Sequence, residues 1–455
     1  MSLFGLMGTA RSGITAASAA LQTTGNNVAN VATPGYARRT AVLETATAGG
    51  GVRYAQTVRT VDRFAQAHVV DQKAKQGAAR ARSDALAELE ATIAPPDGSF
   101  GDKALALVKA FNALTAFPID PALRADVLAK TENLAAALRS TAASINAQSE
   151  SLLGRAGDVT VEVNANLKRI ADLNKQIAIA QASGGDAGAL RDQRDQVING
   201  VGERLGAKAI EDENGQVTLF AAGAVLVSGN DASQLSIDLD PSTGAMRFYA
   251  QPKGGTKQEI TARVDTGTLG GLREARDTDL AKTMANLDSY AFDVANAFNA
   301  VHEKGVGLDG AGDRALFAVS GAEKGAAASL SLNPDLAGHP ERIGASDAAG
   351  NLPGGNVVAL ELAGLSDTHA FGGATLPDRY AAMATDIGFR KAGADAEVQL
   401  RTDTLAVAQA LSDSANGVSL DEEMVNLTQY QRAFEAASRV MRTADELLQT
   451  LLNAI

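Results

Sequence analysis

The sequence predicts a mainly α-helical protein with a small antiparallel β domain inserted into a central helical bundle, and with long terminal helices that pair as a coiled coil. Three observations lead to this prediction. Both ends of the chain carry apolar residues at heptad spacing, and most of the middle carries them at helical spacing. One stretch, 207–264, instead alternates at period two between turn signals. We expect three domains: 1–61 plus 412–455, 62–206 plus 265–411, and 207–264.

The C-terminal stretch carries the most regular heptad pattern. Counting in sevens gives an uninterrupted apolar series: Leu420, Leu427, Phe434, Met441, Leu448 and Ile455. The positions three residues later are apolar in four cases of five: Glu423, Tyr430, Ala437, Ala444 and Leu451. Ser419 to Glu422 is typical of a capping box, which predicts where the helix begins. Because the series runs on to Leu451 and Ile455 without polar residues, we expect this tip to be uncovered in the monomer.

The N-terminal stretch carries a matching stripe at Met7, Ile14, Leu21 and Val28, which ends at the turn signal 32–35. Up to residue 40 the chain has three arginines and no acid, whereas 412–455 has seven acids and three arginines. The opposite charge and equal period predict that the two ends pair.

Between the ends, the pattern predicts a connector with local strands over 33–61 and a helix over 62–93. Shorter apolar runs predict helices over 102–114, from Asp120 through Leu152, from Val163 to Ile177, and up to about Leu205. The β unit over 207–264 follows, and we expect it to be an outer domain that the core does not need. A helix from Leu280 to Val301, a weakly patterned region over 305–376 and a helix over 378–411 complete the chain.

The residue inventory argues against an enzyme. There is no cysteine, and the four histidines, His68, His302, His339 and His369, stand singly without neighbouring ligands. The densest charge cluster, Arg191 to Asp195, is interpreted as a solvated helix face with an i,i+4 ion pair. We therefore predict no catalytic residue, no metal and no cofactor. A net charge of −12 argues against nucleic acid, and no apolar run is long enough for membrane insertion.

The two ends resemble a known group of proteins. Ser12–Leu21 followed by Asn26, Asn27 and Asn30 through Tyr36 resembles the N-terminal signature of bacterial flagellar rod, hook and hook-associated proteins. Residues 419–434, continuing to 445, are similar to the C-terminal signature of the same group. In the middle, 120–124, 190–196, 269–277 and 297–299 resemble the hook-associated protein 1 family.

The resemblance implies a structural protein of the hook–filament junction, exported through the flagellar type III system and located outside the cell. It implies self-assembly through the two terminal stripes, including Asn26, Asn27 and Asn30. It also implies contact with hook protein, with hook-associated protein 3 on the filament side, and with a cytoplasmic export chaperone at the C-terminal stripe. Two alternatives stay open at this point. One is a hook or rod protein, whose middle would be mostly β, and the other is a peptidoglycan hydrolase with flagellar-type ends.

Overall fold

The computed structural model describes residues 3–33, 35–46, 50–183, 187–212 and 214–453. The α-helices within these ranges are α1 (Leu3–Ala29), α2 (Arg63–Ile93), α3 (Phe100–Ala116), α4 (Pro121–Ala182), α5 (Gly188–Leu205), α6 (Gly267–Glu274), α7 (Ala281–His302), α8 (Ala326–Ser329), α9 (Val357–Gly364), α10 (Leu376–Asn416) and α11 (Leu420–Asn453). The strands are β1 (Arg39–Thr45), β2 (Val52–Arg59), β3 (Lys208–Glu211), β4 (Val217–Ala221), β5 (Ala224–Ser228), β6 (Asp231–Ala232), β7 (Gln234–Leu239), β8 (Met246–Gln251), β9 (Gln258–Glu259), β10 (Phe317–Ala318) and β11 (Ser331–Leu332). The predicted fold class, mainly α with a small antiparallel β insert and long terminal helices, is confirmed.

A terminal unit is built from both ends of the chain. Helices α1 and α11 pack side by side, and the antiparallel hairpin β1–β2 packs against α1. The predicted connector over 33–61 is therefore largely this hairpin.

Two long helices, α2 and α10, link the terminal unit to the centre of the molecule and run antiparallel. Ser83 Oγ donates to Asp395 Oδ1 at 2.7 Å, and Gln76 Nε2 donates to Thr402 Oγ1 at 2.9 Å, so the position on one helix rises as the other falls. The predicted helix 62–93 begins where expected, because the Asp62 carboxylate accepts from the amides of Phe64 and Ala65.

The central core is helical and centres on an aromatic cluster. Phe298 of α7 has its ring 6.3 Å from Phe111, 6.1 Å from Phe317 and 6.3 Å from Phe371, which come from α3, β10 and the loop before α10. The region 305–376 therefore supplies core residues, although it contains only short helices and two-residue strands, as its weak pattern indicated.

Two helical predictions need correction. The expected break between Leu152 and Val163 is absent, and α4 is continuous over 62 residues, with Gly154 and Gly157 inside it in open space. Without a proline or a buried clash, these two glycines lower helix propensity but do not end a helix whose apolar face continues on both sides. The predicted capping box of α11 is also incomplete. Ser419 Oγ lies 3.5 Å from the amide of Glu422, whose carboxylate pairs with Arg38 at 2.9 Å instead.

The β insert consists of two antiparallel sheets, in the orders β3-β4-β5-β6 and β7-β8-β9. In β4 and β8 buried residues alternate with partly buried ones, and the buried ones join the same apolar core as the helices. The side chains of two asparagines of α4 form hydrogen bonds with the backbone of the two sheets. Asn174 bonds to both the amide and the carbonyl of Val217, and Asn164 bonds in the same way to Leu235, at 2.7–3.1 Å.

Candidate assembly interface

The α1–α11 pair is antiparallel and closely packed. Asn27 meets Glu423, and Gly13 faces Ala437, where a Cβ added to the glycine would lie 3.2 Å from the alanine Cβ. The buried residues of the pair are mostly small: Ala10, Ala16, Ala17 and Ala20 of α1 and Ala444 of α11. Small side chains let two helix backbones approach closely, so the seam holds the pair while leaving the large apolar residues at its margins.

The predicted stripes lie beside this seam rather than in it. Met7, Ile14, Leu21 and Val28 are half-buried; Asn27 is buried, Asn30 half-buried and Asn26 exposed. On α11, Leu427, Met441 and Leu448 are half-buried, whereas Leu420, Phe434 and Leu451 are exposed; Ile455 lies outside the described residues.

In the described chain the series in sevens from Leu420 is therefore only partly covered, and its role in assembly stays a prediction. The fully buried positions of α11, Glu423 and Ala444, belong to the series three residues later. The reason is volume, because that series contains the two alanines, Ala437 and Ala444, that fit against the small residues of α1.

Asn27 and Glu423 form a buried polar knot at one end of the pair. Asn27 is 1 % exposed; its amide nitrogen donates to Glu423 Oε2 at 3.0 Å and to the Arg39 carbonyl at 2.7 Å. Its amide oxygen accepts from Tyr36 Oη at 2.8 Å and from the Arg39 amide at 3.0 Å. Glu423 is 2 % exposed and pairs with Arg38 Nε at 2.8 Å.

This knot joins α1, the segment before β1, and α11 in one network. Four hydrogen bonds use every donor and acceptor position of the Asn27 side chain, so no shorter or apolar residue could replace it. It explains why a glutamate stands at position 423, where the heptad pattern predicts an apolar residue.

The terminal unit is docked on helix α5 by ion pairs. Arg39 NH2 lies 2.9 Å from Asp192 Oδ2, Arg59 Nε lies 2.8 Å from Asp192 Oδ1, and Arg59 NH2 lies 2.7 Å from Asp195 Oδ2. Asp192 is buried, so these pairs are shielded from solvent.

The interpretation of Arg191–Asp195 as a solvated helix face is therefore wrong. The aspartates face the hairpin β1–β2, while the arginines face the β insert, where Arg194 NH2 lies 3.1 Å and Arg191 Nε 3.3 Å from Glu211 Oε1. Arg194 is 1 % exposed, and its burial lowers its guanidinium pKa. Arg191 and Asp195 are four residues apart on α5, but each pairs with a residue of another element, Arg191 with Glu211 and Asp195 with Arg59.

A second buried carboxylate was missed at the sequence level. Asp279 is 1 % exposed in the six-residue π-helical segment between α6 and α7, and it pairs with Arg82 of α2 at 2.8 Å and Arg390 of α10 at 3.2 Å. It joins three long helices, and no local pattern marks it. The stretch 273–279 is rich in charged residues, so nothing in the sequence sets Asp279 apart.

Large apolar side chains remain exposed along α11. They are Leu420, Met424, Val425, Val440, Leu447, Leu451 and Leu452, with exposures from 40 % to 66 %. On α1, Phe4 is 78 % exposed. So many exposed apolar side chains on one helix favour binding to another protein.

The described residues contain little that resembles a chemical centre. Among them no three His, Asp or Glu side chains are grouped as metal ligands, and no helix has the length and hydrophobicity to span a membrane. A cavity of about 610 Å³ lies where the hairpin, α2, α5 and the insert meet. Its walls carry four arginines, one lysine and five carboxylates, several of them already paired with each other, as Arg59 is with Asp195.

Three family models match the chain. Residues 86–317 match the model described as flagellar hook-associated protein FlgK helical domain. Residues 410–454 match flagellar basal body rod FlgEFG protein C-terminal, and residues 7–36 match flagella basal body rod protein. The two end matches cover most of α1 and α11.

Relatives resemble the chain over nearly its whole length. Flagellar hook-associated protein 1 of Salmonella typhimurium is 24 % identical, with 98 % of this chain and 99 % of the relative covered. The proteins of that name from Escherichia coli and Bacillus subtilis are 25 % and 27 % identical, each over 98 % of this chain, and are covered to 99 % and 97 %.

A solved structure shares the fold. The flagellar hook junction protein FlgK from Burkholderia pseudomallei superposes with a TM-score of 0.52 at 23 % identity. The superposition covers 56 % of this chain and 47 % of that one, so it spans about half the length of the solved chain.

Proposed function

Because the chain belongs to the family of the flagellar hook-associated protein FlgK, as a structural subunit of the hook–filament junction, we propose that it joins its neighbours through its terminal unit. The observation that carries this proposal is that α11 buries small residues and leaves large apolar residues exposed. Small residues bury the contact with α1, while Leu447, Leu451 and Leu452 keep 49 % to 65 % of their surface exposed. Burying one such side chain stabilises a contact by roughly 1.5–3 kcal/mol.

The physical mechanism is assembly by repeated, head-to-tail contacts. In a tube each subunit meets its neighbours through different faces, and the same contact repeats along and around the axis. The predicted stripe residues fit this role, because most of them border the seam and keep part of their surface free. The polar knot at Asn27 and Glu423 then fixes how α1 and α11 are presented.

The partners follow from the family. We propose that the subunit contacts hook protein on one side and hook-associated protein 3 and the filament on the other. We also propose that it is exported through the flagellar type III system, and that a cytoplasmic chaperone covers the C-terminal stripe beforehand. The exposed residues Leu447, Leu451 and Leu452 support a covering partner before assembly, since such side chains promote aggregation when left free.

A structural rather than catalytic role is part of the proposal. It is supported by relatives that are named as hook-associated proteins over nearly their full length. The buried charges described above also have positioning partners within the chain, which accounts for them without catalysis.

The test is a charge placed on the exposed tip, Leu451→Asp. This position is 57 % exposed, so we expect the melting temperature of the purified protein to stay unchanged, while cells form hooks without filaments and shed filament protein into the medium. A charge in a repeated apolar contact costs several kcal/mol per subunit. Gln449→Asp, an exposed neighbour on α11, adds the same charge and should leave assembly normal.

Leu287→Asp serves as the opposite control, because Leu287 is fully buried in the core and its substitution should unfold the protein. Normal filaments on cells that carry Leu451→Asp would refute the proposal. So would a loss of melting temperature as large as that of Leu287→Asp, since the tip would then be part of the monomer's core.

A further inference from the structure

Helix α10 carries apolar residues on two opposite faces. One face is buried against the rest of the chain: Met383, Ile387, Ala394, Leu405 and Ala408. The other is exposed: Phe389 at 75 %, Leu400 at 51 %, Val407 at 70 % and Leu411 at 58 %. In an α-helix successive residues are about 100° apart, so Phe389 stands almost opposite Ile387, and Val407 almost opposite Leu405.

The four exposed side chains lie on one line, which we call the outer stripe of α10. Their spacings of eleven, seven and four residues bring each back to nearly the same side of the helix. Gly393 and Ala396 fall on the same line and are exposed, and Asp403 is the only charged residue among them. The sequence of steps is a heptad pattern, which is typical of a surface that packs against another helix.

The neighbouring helix shows what an ordinary solvent face looks like in this protein. The exposed side of α2 carries Arg80, Asp84 and Glu88 at successive turns. Helices α2 and α10 each bury one face in their mutual contact. That contact therefore does not explain why the outer side of α10 is apolar.

The described residues leave the outer stripe uncovered. The internal stretches outside the described ranges are three residues long or shorter, which is too short to cover a stripe of 23 residues. The stripe is also continuous with the proposed assembly surface. Leu411 is followed, after the turn at Gly417, by the exposed Leu420, Met424 and Val425 of α11.

The size of the stripe suits a contact that forms only within an assembly. At 1.5 Å per residue it is about 33 Å long, and with a width of about 10 Å it covers roughly 330 Å². A stable interface between two proteins needs about 800 Å² on each partner. The stripe alone is therefore too small to hold a dimer in solution, and it requires the simultaneous contact of the terminal unit.

We propose that the outer stripe of α10 packs against a helix of a second copy of this chain in the assembled junction. This inference rests on the proposed function and extends it from the terminal unit to the α2–α10 pair. Adjacent copies would then be held at two separate places along their length, and the angle between them would be fixed as well as their distance.

The test uses the absence of cysteine from the chain, which allows single cysteines without background. Leu400→Cys on the outer stripe, Asp84→Cys on α2 and Leu451→Cys on α11 are made in otherwise native protein. In the purified monomer all three should react with a fluorescent maleimide at similar rates. In isolated hook–filament junctions Leu400→Cys and Leu451→Cys should react at least tenfold more slowly, while Asp84→Cys should be unaffected.

A photocrosslinker, benzoylphenylalanine, placed at position 400 identifies the occupant. We expect a product of twice the chain's mass that contains peptides of this chain alone. Equal labelling of Leu400→Cys in monomer and junction would overturn the inference, as would crosslinking to a different protein. If Leu451→Cys is protected and Leu400→Cys is not, the proposed function stands and the outer stripe fails. If the chain is absent from the junctions, the proposed function fails first and the inference with it.

Discussion

Individual buried charges decide how the units of this protein are held relative to one another. Asp192 is bound by two arginines of the hairpin, and Asp279 by one arginine from each long helix. Removing one member of a buried pair leaves an uncompensated charge and costs about 3–5 kcal/mol. These residues therefore specify geometry, while the apolar core around them supplies most of the stability.

At the residue scale, we predict that His302 makes the stability of the protein depend on pH. It is 1 % exposed; its Nδ1–H donates to the Arg314 carbonyl at 2.6 Å, and its Nε2 accepts from the Gly344 amide at 3.0 Å, so the ring is neutral. Burial lowers the pKa of His302 to about 4, from an ordinary value of 6.5. Below pH 6.5 His302 binds a proton in the unfolded chain, whereas in the folded chain it stays neutral down to about pH 4. The stabilisation is therefore complete above pH 6.5 and is lost as the pH falls.

We expect this histidine to contribute a loss of about 2 kcal/mol in unfolding free energy between pH 7 and pH 5. In urea titrations at the two pH values, His302→Gln should be less stable at pH 7 but should lose less on acidification. His369→Gln, at an exposed position, should keep the full dependence. An identical pH dependence in His302→Gln and the native protein would contradict this assignment.

At the scale of elements, the close contact of α1 with α11 depends on Gly13. Gly13→Leu would drive its side chain into Ala437 and separate the helices, at a cost of about 1–3 kcal/mol. Hydrogen exchange of the α11 amides should speed up accordingly, while that of α7 stays unchanged. The matched control is Gly8→Leu in the same helix, where no atom lies within 4 Å of the added Cβ. Both changes raise helix propensity equally, so protected α11 amides in Gly13→Leu would refute a close seam.

The sequence was most informative about individual elements, such as where a helix begins or a turn lies. The helix beginning at Asp120–Pro121 and the turn at Asp240–Gly244 are set by local chemistry, and the structure has both. The buried seam of α11 could not be read locally, because the partner's small residues decide which of two apolar series is covered. The pairs at Asp192 and Asp279 join residues about 110 to 200 positions apart, and no periodicity reports such distances.

At the scale of the whole molecule, the β insert shares the core of the helices. Leu219, Leu226 and Phe248 are buried in the same cluster as Leu167 and Ile170 of α4. We therefore expect that replacing 208–263 with a Gly/Ser linker lowers the melting temperature clearly, contrary to the dispensable unit that the sequence suggested. Shortening only the exposed turn over 252–255 should leave it unchanged. An unaltered melting curve after the full replacement would show that the insert is an independent domain.

The hydrogen bond between Asn27 and Glu423 bears on the order in which parts of the chain fold. It joins residues 396 positions apart, and closing a loop of that length in a flexible chain costs on the order of 5 kcal/mol, more than one such bond returns. Once the core has folded, α2 and α10 already hold the two ends side by side, and the cost has been met. We therefore expect the terminal unit to form last, after the core has folded.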